Sequence, residues 1–374
     1  MVGVDHLALH PGFRSRYGKS YLCPDPDAQP AEWVAFMKRL AREIGGKPAI
    51  IAAADIFVTA LGEHAAELEA DYRLSRATLS VQAALTTKEQ QYALAANAGF
   101  PCPRTEHIQN RAGLEAFCRD ARFPCLIKPR SQREWEVLPE GNLLRGKKIV
   151  TAETPAELLE RYSHTEPFQP QAVAQEIITG GDDAKYCYLS VYGSNRERLG
   201  YCVVRQFRTH PRGFGSASMV QPVVDEEIAD MCDRFLRSMD YVGICEIELK
   251  RDARDGKVRL IEVNPRWSVT GDCATYAGLE IGWLHYLDLI GEPVPAMKAT
   301  RFDFRHIVLY RDAPAFGQYL DAGLTTWSKW WSAYLPPVKF FDFDWRDWRV
   351  TGETLYKAAF ALGGGILRHW KLRK

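Results

Sequence analysis

The sequence predicts an α/β protein, and three features of its order lead to that class. From Glu32 to Ile44 apolar residues recur at helical spacing, and a glycine pair then ends the helix before KPAIIAAAD, a stretch typical of a buried strand. Further on, YCYLSVYG and RLGYCVVRQF predict two antiparallel strands. Finally, GICEIELKRDARDGKVRLIEVN predicts a hairpin that turns at Asp255-Gly256. We therefore expect an α/β unit followed by a mixed α+β region.

Other elements fill in this order. Helical patterns run from Lys88 to Ala98 and from Asp225 to Met239, and short strands are predicted at Cys125–Lys128 and in AVAQEII. The region after residue 300 is aromatic-rich, holding six of the ten tryptophans, and ends in GGGILRHWKLRK. This tail could close a substrate pocket or act as a simple hydrophobic cover.

Bulk composition narrows the function classes. The 374 residues suit two or three domains, and a net charge of +1 gives no reason to expect a nucleic-acid partner. The nine cysteines are scattered without a CxxC pair, which favours reduced thiols and a cytoplasmic location. No apolar run approaches the length of a membrane span, although the basic end could touch an acidic partner or a membrane surface.

The octapeptide IEVNPRWS, residues 261–268, carries the first chemical signal. Side chains alternate across a strand, so Glu262, Asn264 and Arg266 share one face. Carboxylate and amide oxygens followed by a fixed cation suit a magnesium–phosphate site. An exposed strand face with ordinary polar residues explains the same octapeptide equally well.

A second carboxylate, Glu248, lies on the preceding strand of the hairpin. A two-residue loop at Asp255-Gly256 would put Glu248 and Glu262 on opposite faces. A three-residue loop that begins at Arg254 would pair them and place Gly256 where a left-handed residue is wanted. The predicted metal cage therefore requires a loop of odd length.

Two lysines precede these acids. Lys128 ends a strand and Lys88 opens a helix, and lysine is a point charge suited to phosphate oxygens, although each alone reads as a surface lysine. The chain resembles the ATP-grasp superfamily from about residue 85 to 291. The resemblance rests on the order of two lysines, the segment QEII, an acid on one strand and the pattern acid-x-Asn-x-Arg on the next. The resemblance implies that both lysines contact ATP phosphates, that Glu176 accepts from the adenine amino group, that the Ile178 backbone bonds the ring, and that Asp183 reaches the ribose.

The same resemblance assigns the metal and the reacting phosphate. The positions that match the magnesium ligands are Glu248, Glu262 and Asn264, with Mn²⁺ able to replace Mg²⁺. Arg266 matches the residue that faces the transferred phosphoryl group and the acyl phosphate. Arg205 and Arg208, in VVRQFRTH, match cations near the γ-phosphate.

Within the superfamily, RYGKSY, GGDD and AGLEIGWLHYLDLIGEP look most like the D-aspartate ligase type of carboxylate–amine ligase. This implies amide formation from a small carboxylate, such as an amino acid, and an amine, through an acyl phosphate. The glycine-rich phosphate loop of many relatives is absent, so Lys147 or Lys148 could cover the nucleotide instead.

The resulting expectation is an ATP-grasp fold in three parts. Residues 1–84 form a Rossmann-like domain that looks shortened, residues 85–295 the ATP-grasp domain with its two lobes, and residues 296–374 the aromatic-rich C-terminal extension. A homodimer is compatible with this plan. Two other functions stay open: a carboxylase that activates bicarbonate, and a non-catalytic nucleotide-binding protein.

Overall fold

A computed structural model describes most of the chain. It covers residues 1–8, 10–74, 79, 81–82, 85, 88–129, 135, 138–147, 149–168, 172–341 and 343–372, without the side chains of 11, 89, 167 and 362–372. The helices are α1 (Pro30–Ile44), α2 (Asp55–Leu68), α3 (Lys88–Asn97), α4 (Arg111–Asp120), α5 (Pro155–Ser163), α6 (Glu226–Ser238), α7 (Gly271–Tyr276), α8 (Ile281–Ile290), α9 (Leu309–Asp321), α10 (Trp327–Ser332) and α11 (Trp348–Leu372). The strands are β1 (Val2–Asp5), β2 (Lys19–Leu22), β3 (Thr105–Ile108), β4 (Cys125–Pro129), β5 (Val150–Ala152), β6 (Ala172–Glu176), β7 (Lys185–Tyr192), β8 (Arg198–His210), β9 (Ser216–Val223), β10 (Gly243–Arg251), β11 (Val258–Asn264), β12 (Arg305–Ile307) and β13 (Val338–Phe340).

The chain divides into two compact units. Unit 1 comprises residues 1–100, 181–249 and 262–374, and unit 2 comprises residues 101–180 and 250–261. The three-part division expected from the sequence follows other boundaries and stays a prediction. Among the described residues, no helix combines the length and the hydropathy that crossing a membrane requires.

A seven-stranded sheet, in the order β11-β10-β7-β8-β9-β12-β13, organises unit 1. β7, β8 and β9 pair antiparallel, which confirms the two successive strands predicted from YCYLSVYG and RLGYCVVRQF. β12 and β13, from the C-terminal extension, lengthen this sheet beyond β9. Alternate residues such as Leu189 and Val191 pack against Ala274 of α7 and Leu284 of α8, so one face of the sheet forms the core.

In the N-terminal part of unit 1, the helix predicted from Glu32 to Ile44 is present, but the strand predicted in KPAIIAAAD is not. α1 and α2 pack through Trp33, Met37 and Leu61, as the helical spacing indicates. The strand prediction for KPAIIAAAD is wrong, because only Ala49 forms a bridge, to Arg73, within the described residues. Apolar character alone does not make a strand, since a strand also needs a neighbour along its length.

Unit 2 is built around a four-stranded antiparallel sheet in the order β3-β6-β4-β5. Its inner face packs Ile127 and Ala174 against Phe117 of α4 and Leu158 of α5. The strands predicted at Cys125–Lys128 and in AVAQEII are confirmed, although β6 ends at Glu176 and leaves the following residues in a connecting segment.

The hairpin turn differs from the prediction. The Asp252 N–H donates to the Lys257 carbonyl (2.9 Å) and the Asp252 carbonyl accepts from the Gly256 N–H (2.8 Å), so the turn encloses four residues rather than three. Gly256 does adopt the expected left-handed conformation, with φ of 72°. A loop with an even number of residues would, without any irregularity in the strands, place Glu248 and Asn264 on opposite faces of the hairpin. Nevertheless, Nδ2 of Asn264 donates to Oε1 of Glu248 at 3.4 Å. We infer that the pairing shifts by one residue along the hairpin, as a β-bulge does.

The C-terminal extension is fastened to β8 by a buried ion pair. Nη1 of Arg208 lies 2.8 Å from Oδ2 of Asp312 in α9, and Ser218 and Tyr334 donate hydroxyl hydrogen bonds to the same carboxylate. The ring of Trp330 lies under the guanidinium, 3.7 Å from its carbon. The extension is therefore an integral part of unit 1, which supports the view of this tail as a hydrophobic cover.

Replacing Asp312 by alanine should destabilise the protein strongly. The change leaves the Arg208 charge buried and unpaired, which costs about 3–5 kcal/mol in the free energy of unfolding. Arg237→Ala breaks an exposed helical pair with Asp233 and should cost no more than about 1 kcal/mol. Urea unfolding of both variants measures the contrast, and equal losses would contradict the buried clamp.

Candidate functional site

Four polar side chains gather on one face of β10 and β11. Nδ2 of Asn264 donates to Oε2 of Glu246 (3.2 Å) and to Oε1 of Glu248 (3.4 Å). Glu262 lies two residues before Asn264 on β11 and therefore points to the same face, and its charge and that of Glu246 both act on Glu248. The carboxylate face predicted from alternation is therefore formed, with one more acid than predicted.

Glu246 is the residue that the sequence reasoning missed. It is 5% exposed and accepts a short hydrogen bond from the Thr270 hydroxyl as well as the bond from Asn264. A signal was available in CEIELK, because two glutamates separated by one residue point to the same side of a strand. Family resemblance singled out only the second of the two.

Crowding of negative charge dominates the electrostatics of this face. Burial, and then the charges of Glu246 and Glu262, raise the pKa of Glu248 to about 8, while Lys88 and Lys185 oppose the shift. A carboxyl that holds its proton at neutral pH marks a place where positive charge would be stabilised.

Lys88 lies beside the carboxylate face, and its predicted contact with ATP phosphates stays a prediction. Its Nζ is 3.6 Å from Oε1 of Glu262. Gln91, one turn further along α3, anchors this helix, because its side-chain amide bonds both the N–H and the carbonyl of Val263 at 2.9 Å. The lysine is thereby held beside the carboxylates by the backbone of β11 itself.

The oxygen donors suit a hard cation, but one of them faces the wrong way. Among the described residues, no three His, Cys, Asp or Glu side chains converge into a ready metal cage. Glu248, Glu262 and Asn264 supply the carboxylate and amide oxygens that Mg²⁺ prefers. Asn264 turns its NH₂ group toward the glutamates and its Oδ1 toward Arg266 (3.2 Å). The donor set therefore fits magnesium in kind, and the amide must rotate for its oxygen to reach a cation.

Arg266 adjoins the carboxylate face and holds a second acid that was not predicted. Its Nε and Nη2 lie 2.6 and 3.1 Å from the two carboxylate oxygens of Asp55, the first residue of α2. This forked contact is the arrangement by which arginine recognises carboxylate and phosphate. Asp55 ends the apolar stretch KPAIIAAAD, and sequence alone gives no reason to place it beside Arg266.

The two other predicted cations, Arg205 and Arg208, have different environments in the structure. Arg205 is half-buried and donates from Nε to the Asp183 carbonyl (2.7 Å) and from Nη2 to its carboxylate (3.1 Å). Arg208 is 7% exposed and its guanidinium is engaged by Asp312. The geometry therefore favours Arg205 as the cation near a ligand and Arg208 as an anchor for the C-terminal extension.

Three of the residues expected to contact the nucleotide, Lys128, Glu176 and Ile178, lie in unit 2, whereas Asp183 belongs to unit 1. Lys128 on β4 pairs with Val173 of β6, and Glu176 ends β6 at 5% exposure. Both Glu176 oxygens accept from Arg122, one from its backbone N–H (2.8 Å) and one from Nη2 (3.2 Å). Ile178 follows at 8% exposure. The Glu176 carboxylate thus has a protein partner, and its predicted contact with adenine stays a prediction.

A charged network steadies the segment that carries Ile178. Arg254 donates to the Ile177 carbonyl (3.1 Å), and the Thr179 hydroxyl donates to Asp252 (2.7 Å). Desolvation opposes ionisation of Asp252, but its bonds from Arg254 and Thr179 outweigh it and lower its pKa. Of the two lysines proposed to cover the nucleotide, Lys147 is exposed and Lys148 lies outside the described residues.

Solved structures show that the chain has the ATP-grasp fold. It aligns with biotin carboxylase from Campylobacter jejuni at a TM-score of 0.59 and 11% identity, over 80% of this chain and 67% of that one. It aligns with L-amino acid ligase from Bacillus licheniformis at 0.52 and 15%, over 72% of this chain and 63% of that one. No family model matches the chain.

In sequence, the chain is similar to D-aspartate ligase of Enterococcus faecium strain Aus0004. The two are 24% identical over 285 residues, which are 71% of this chain and 66% of that enzyme. This likeness agrees with the type of ligase that the sequence motifs resemble. The chain thus spans slightly less than two thirds of the length of this curated relative.

The raised pKa of Glu248 predicts how stability depends on pH. Its carboxyl loses its proton near its ordinary pKa when unfolded and near pH 8 when folded, so the metal-free protein should lose stability as pH rises from about 5 to 8. Glu248→Gln should flatten this slope, while Glu292→Gln, at an exposed position, should leave it unchanged. Thermal unfolding in EDTA across this range measures it, and identical slopes in all three proteins would contradict the assignment.

Proposed function

We propose that this protein is an ATP-dependent carboxylate–amine ligase. The observation that supports the proposal is the cluster of Lys88, Glu248, Glu262, Asn264 and Arg266 in unit 1, which brings together a lysine, two acids, an amide and an arginine. The similarity to a D-aspartate ligase supports a C–N bond-forming reaction rather than another ATP-grasp chemistry.

The chemistry runs in two steps. An oxygen of the substrate carboxylate attacks the γ-phosphorus of ATP, ADP leaves, and an acyl phosphate forms. The amine then attacks the acyl carbon, phosphate leaves with the bonding electrons, and the nitrogen gives up a proton. Catalysis of this kind depends on positioning and on stabilising charge, so a nucleophilic side chain is not required.

Residues of unit 1 hold the charge that this reaction develops. Glu248, Glu262 and Asn264 would hold Mg²⁺, or Mn²⁺ in its place, and the metal would neutralise charge on the phosphates. Lys88 contributes a positive charge beside Glu262, and Arg266 faces the transferred phosphoryl group. Arg205 adds a second fixed guanidinium, held by Asp183.

The nucleotide roles follow the family resemblance. Lys128 binds phosphate oxygens, the Ile178 backbone and Glu176 recognise the adenine ring, and Asp183 binds the ribose. All nine cysteines are free thiols, which supports a reducing, cytoplasmic compartment.

Trapping the acyl phosphate tests the function without knowledge of the amine. Hydroxylamine captures an acyl phosphate as a hydroxamate, so the full chain with MgATP and a carboxylate panel should release ADP and form hydroxamate in equal amounts. ADP release that depends on bicarbonate alone would point to the carboxylase. Nucleotide binding with no ADP release for any carboxylate would point to a non-catalytic protein.

Glu262→Gln should reduce turnover at least about a hundredfold, on the scale of losing one contact made in the transition state. The change removes a charged ligand oxygen and frees Lys88 from its partner. Glu292→Gln, exposed and remote in the chain, is the matched control. Steady-state ADP release at limiting magnesium measures both, and unchanged turnover in Glu262→Gln would count against the metal cage.

Arg266→Lys should lower kcat strongly while ATP affinity changes little. The lysine keeps the charge but loses the fork that holds two oxygens at once, and this contact should strengthen as charge develops. Arg234→Lys, on the exposed side of α6, serves as the control. Nucleotide titration and single-turnover rates separate the two effects, and a loss confined to ATP affinity would argue against this role.

A further inference from the structure

A protein carboxylate occupies the fork of Arg266. Asp55 bonds Nε and Nη2 at 2.6 and 3.1 Å, as the carboxylate of a substrate would. The Asp55 side chain is 57% exposed, whereas that of Arg266 is only 20% exposed. A ligand can therefore reach the pair from the Asp55 side, and it must leave the largely buried guanidinium with a partner.

Arg266 also borders an open recess. Its empty space, including the part continuous with solvent, is about 440 Å³. Besides Arg266, its wall is mostly aliphatic, with side chains that include Ile50, Leu61, Ile244 and Leu289. Apolar walls with one charged group at the edge are typical of sites that bind a small molecule by one polar end.

The recess and the fork are parts of one site, because a single segment borders both. Ile50 and Ala52 line the recess, and Asp55, three residues on, bonds the fork. The Ala52 carbonyl accepts from the Trp267 N–H (2.9 Å), which pins this segment beside Arg266. The recess and the fork therefore adjoin along this segment.

His285 lines the recess from α8 without adding charge. It is 7% exposed, and its Nδ1 has no hydrogen-bond partner among the described residues. Burial lowers its pKa to about 4, so the ring is neutral at physiological pH. Among the described lining residues, Arg266 is thus the source of positive charge.

We propose, resting on the ligase function above, that the carboxyl substrate is an α-amino acid with an aliphatic side chain. Arg266 binds its carboxylate, Asp55 binds its ammonium group, and the aliphatic recess takes its side chain. A zwitterion is the ligand that can separate the Arg266–Asp55 pair and leave both charges with a partner.

An acidic or basic side chain fits this site poorly. Its charge would enter an aliphatic wall, where an ion without a partner is strongly disfavoured. The D-aspartate ligase to which this chain is similar is named for an acidic amino acid, so the proposal gives the two proteins different substrates.

The primary experiment compares amino acids in the hydroxylamine assay with the full chain. Leucine, valine and methionine should exceed aspartate, glutamate and lysine in kcat/KM by at least about tenfold, the minimum effect of a methylene in a hydrophobic pocket. In parallel, calorimetric binding of the same amino acids is measured in the presence of Mg²⁺ and a non-hydrolysable ATP analogue.

A variant at Asp55 tests the ammonium contact. Asp55→Asn should lower kcat/KM for leucine at least about tenfold, on the scale of removing a hydrogen-bonding partner. For 4-methylpentanoate, which lacks the ammonium group, kcat/KM should change by no more than about twofold. Asp230→Asn, exposed on α6, should change neither. Ala52→Leu, which fills the recess, should lower kcat/KM for leucine more than kcat/KM for glycine.

The outcomes separate this proposal from the proposed function. Preference for aspartate or glutamate, or equal effects of Asp55→Asn on both carboxylates, overturns the aliphatic amino acid and leaves the ligase in place. Absence of hydroxamate with every carboxylate overturns the ligase. In that case the calorimetric binding measurement still tests the proposed amino-acid site, and tighter binding of aspartate than of leucine would overturn that site as well.

Discussion

Concentrated negative charge on one strand face is the constraint on which the rest of the site depends. Glu246, Glu248 and Glu262 share the hairpin of β10 and β11, and the charges of Glu246 and Glu262 raise the free energy of ionising Glu248. Neighbouring groups partly compensate this negative charge. Asn264 donates to Glu246 and Glu248, and the Thr270 hydroxyl donates to Glu246. Lys88 lies beside Glu262. Such a face is costly for a folded protein unless a cation shares it.

The chain solves the problem of holding this face rigid with contacts that are distant in sequence. Gln91 fastens α3 to the backbone of Val263, across more than 170 residues of chain. Elsewhere in unit 1, Arg14 and Ser15 from the N-terminal region donate to Glu353 and Asp347, respectively, of the C-terminal extension. The two ends of the chain are thereby fastened together in one unit.

The tryptophan-rich extension has a physical task that composition does not reveal. Trp330 covers the guanidinium of Arg208 while Asp312 neutralises it, so an arginine that resembles a phosphate ligand becomes a buried anchor. Arginine suits either role, because its planar fork both binds oxygens and stacks on rings. Burial and an existing partner, rather than residue type, decide between them.

The sequence alone determined the fold class, the strands β4, β6, β7, β8, β10 and β11, and the alternation that puts Glu262 and Asn264 on one face of β11, because periodicity is a local property of the chain. The strands β3, β5, β9, β12 and β13 were not predicted, and Arg266 lies beyond the end of β11. Local pattern also implied Gly256 as the left-handed residue of the turn. Only the tertiary structure decided the length of that turn, the bulge that brings Glu248 to the face, the partner of Arg208 and the meeting of Asp55 with Arg266. Each of these depends on which distant segments pack together, and no spacing within one segment carries that information.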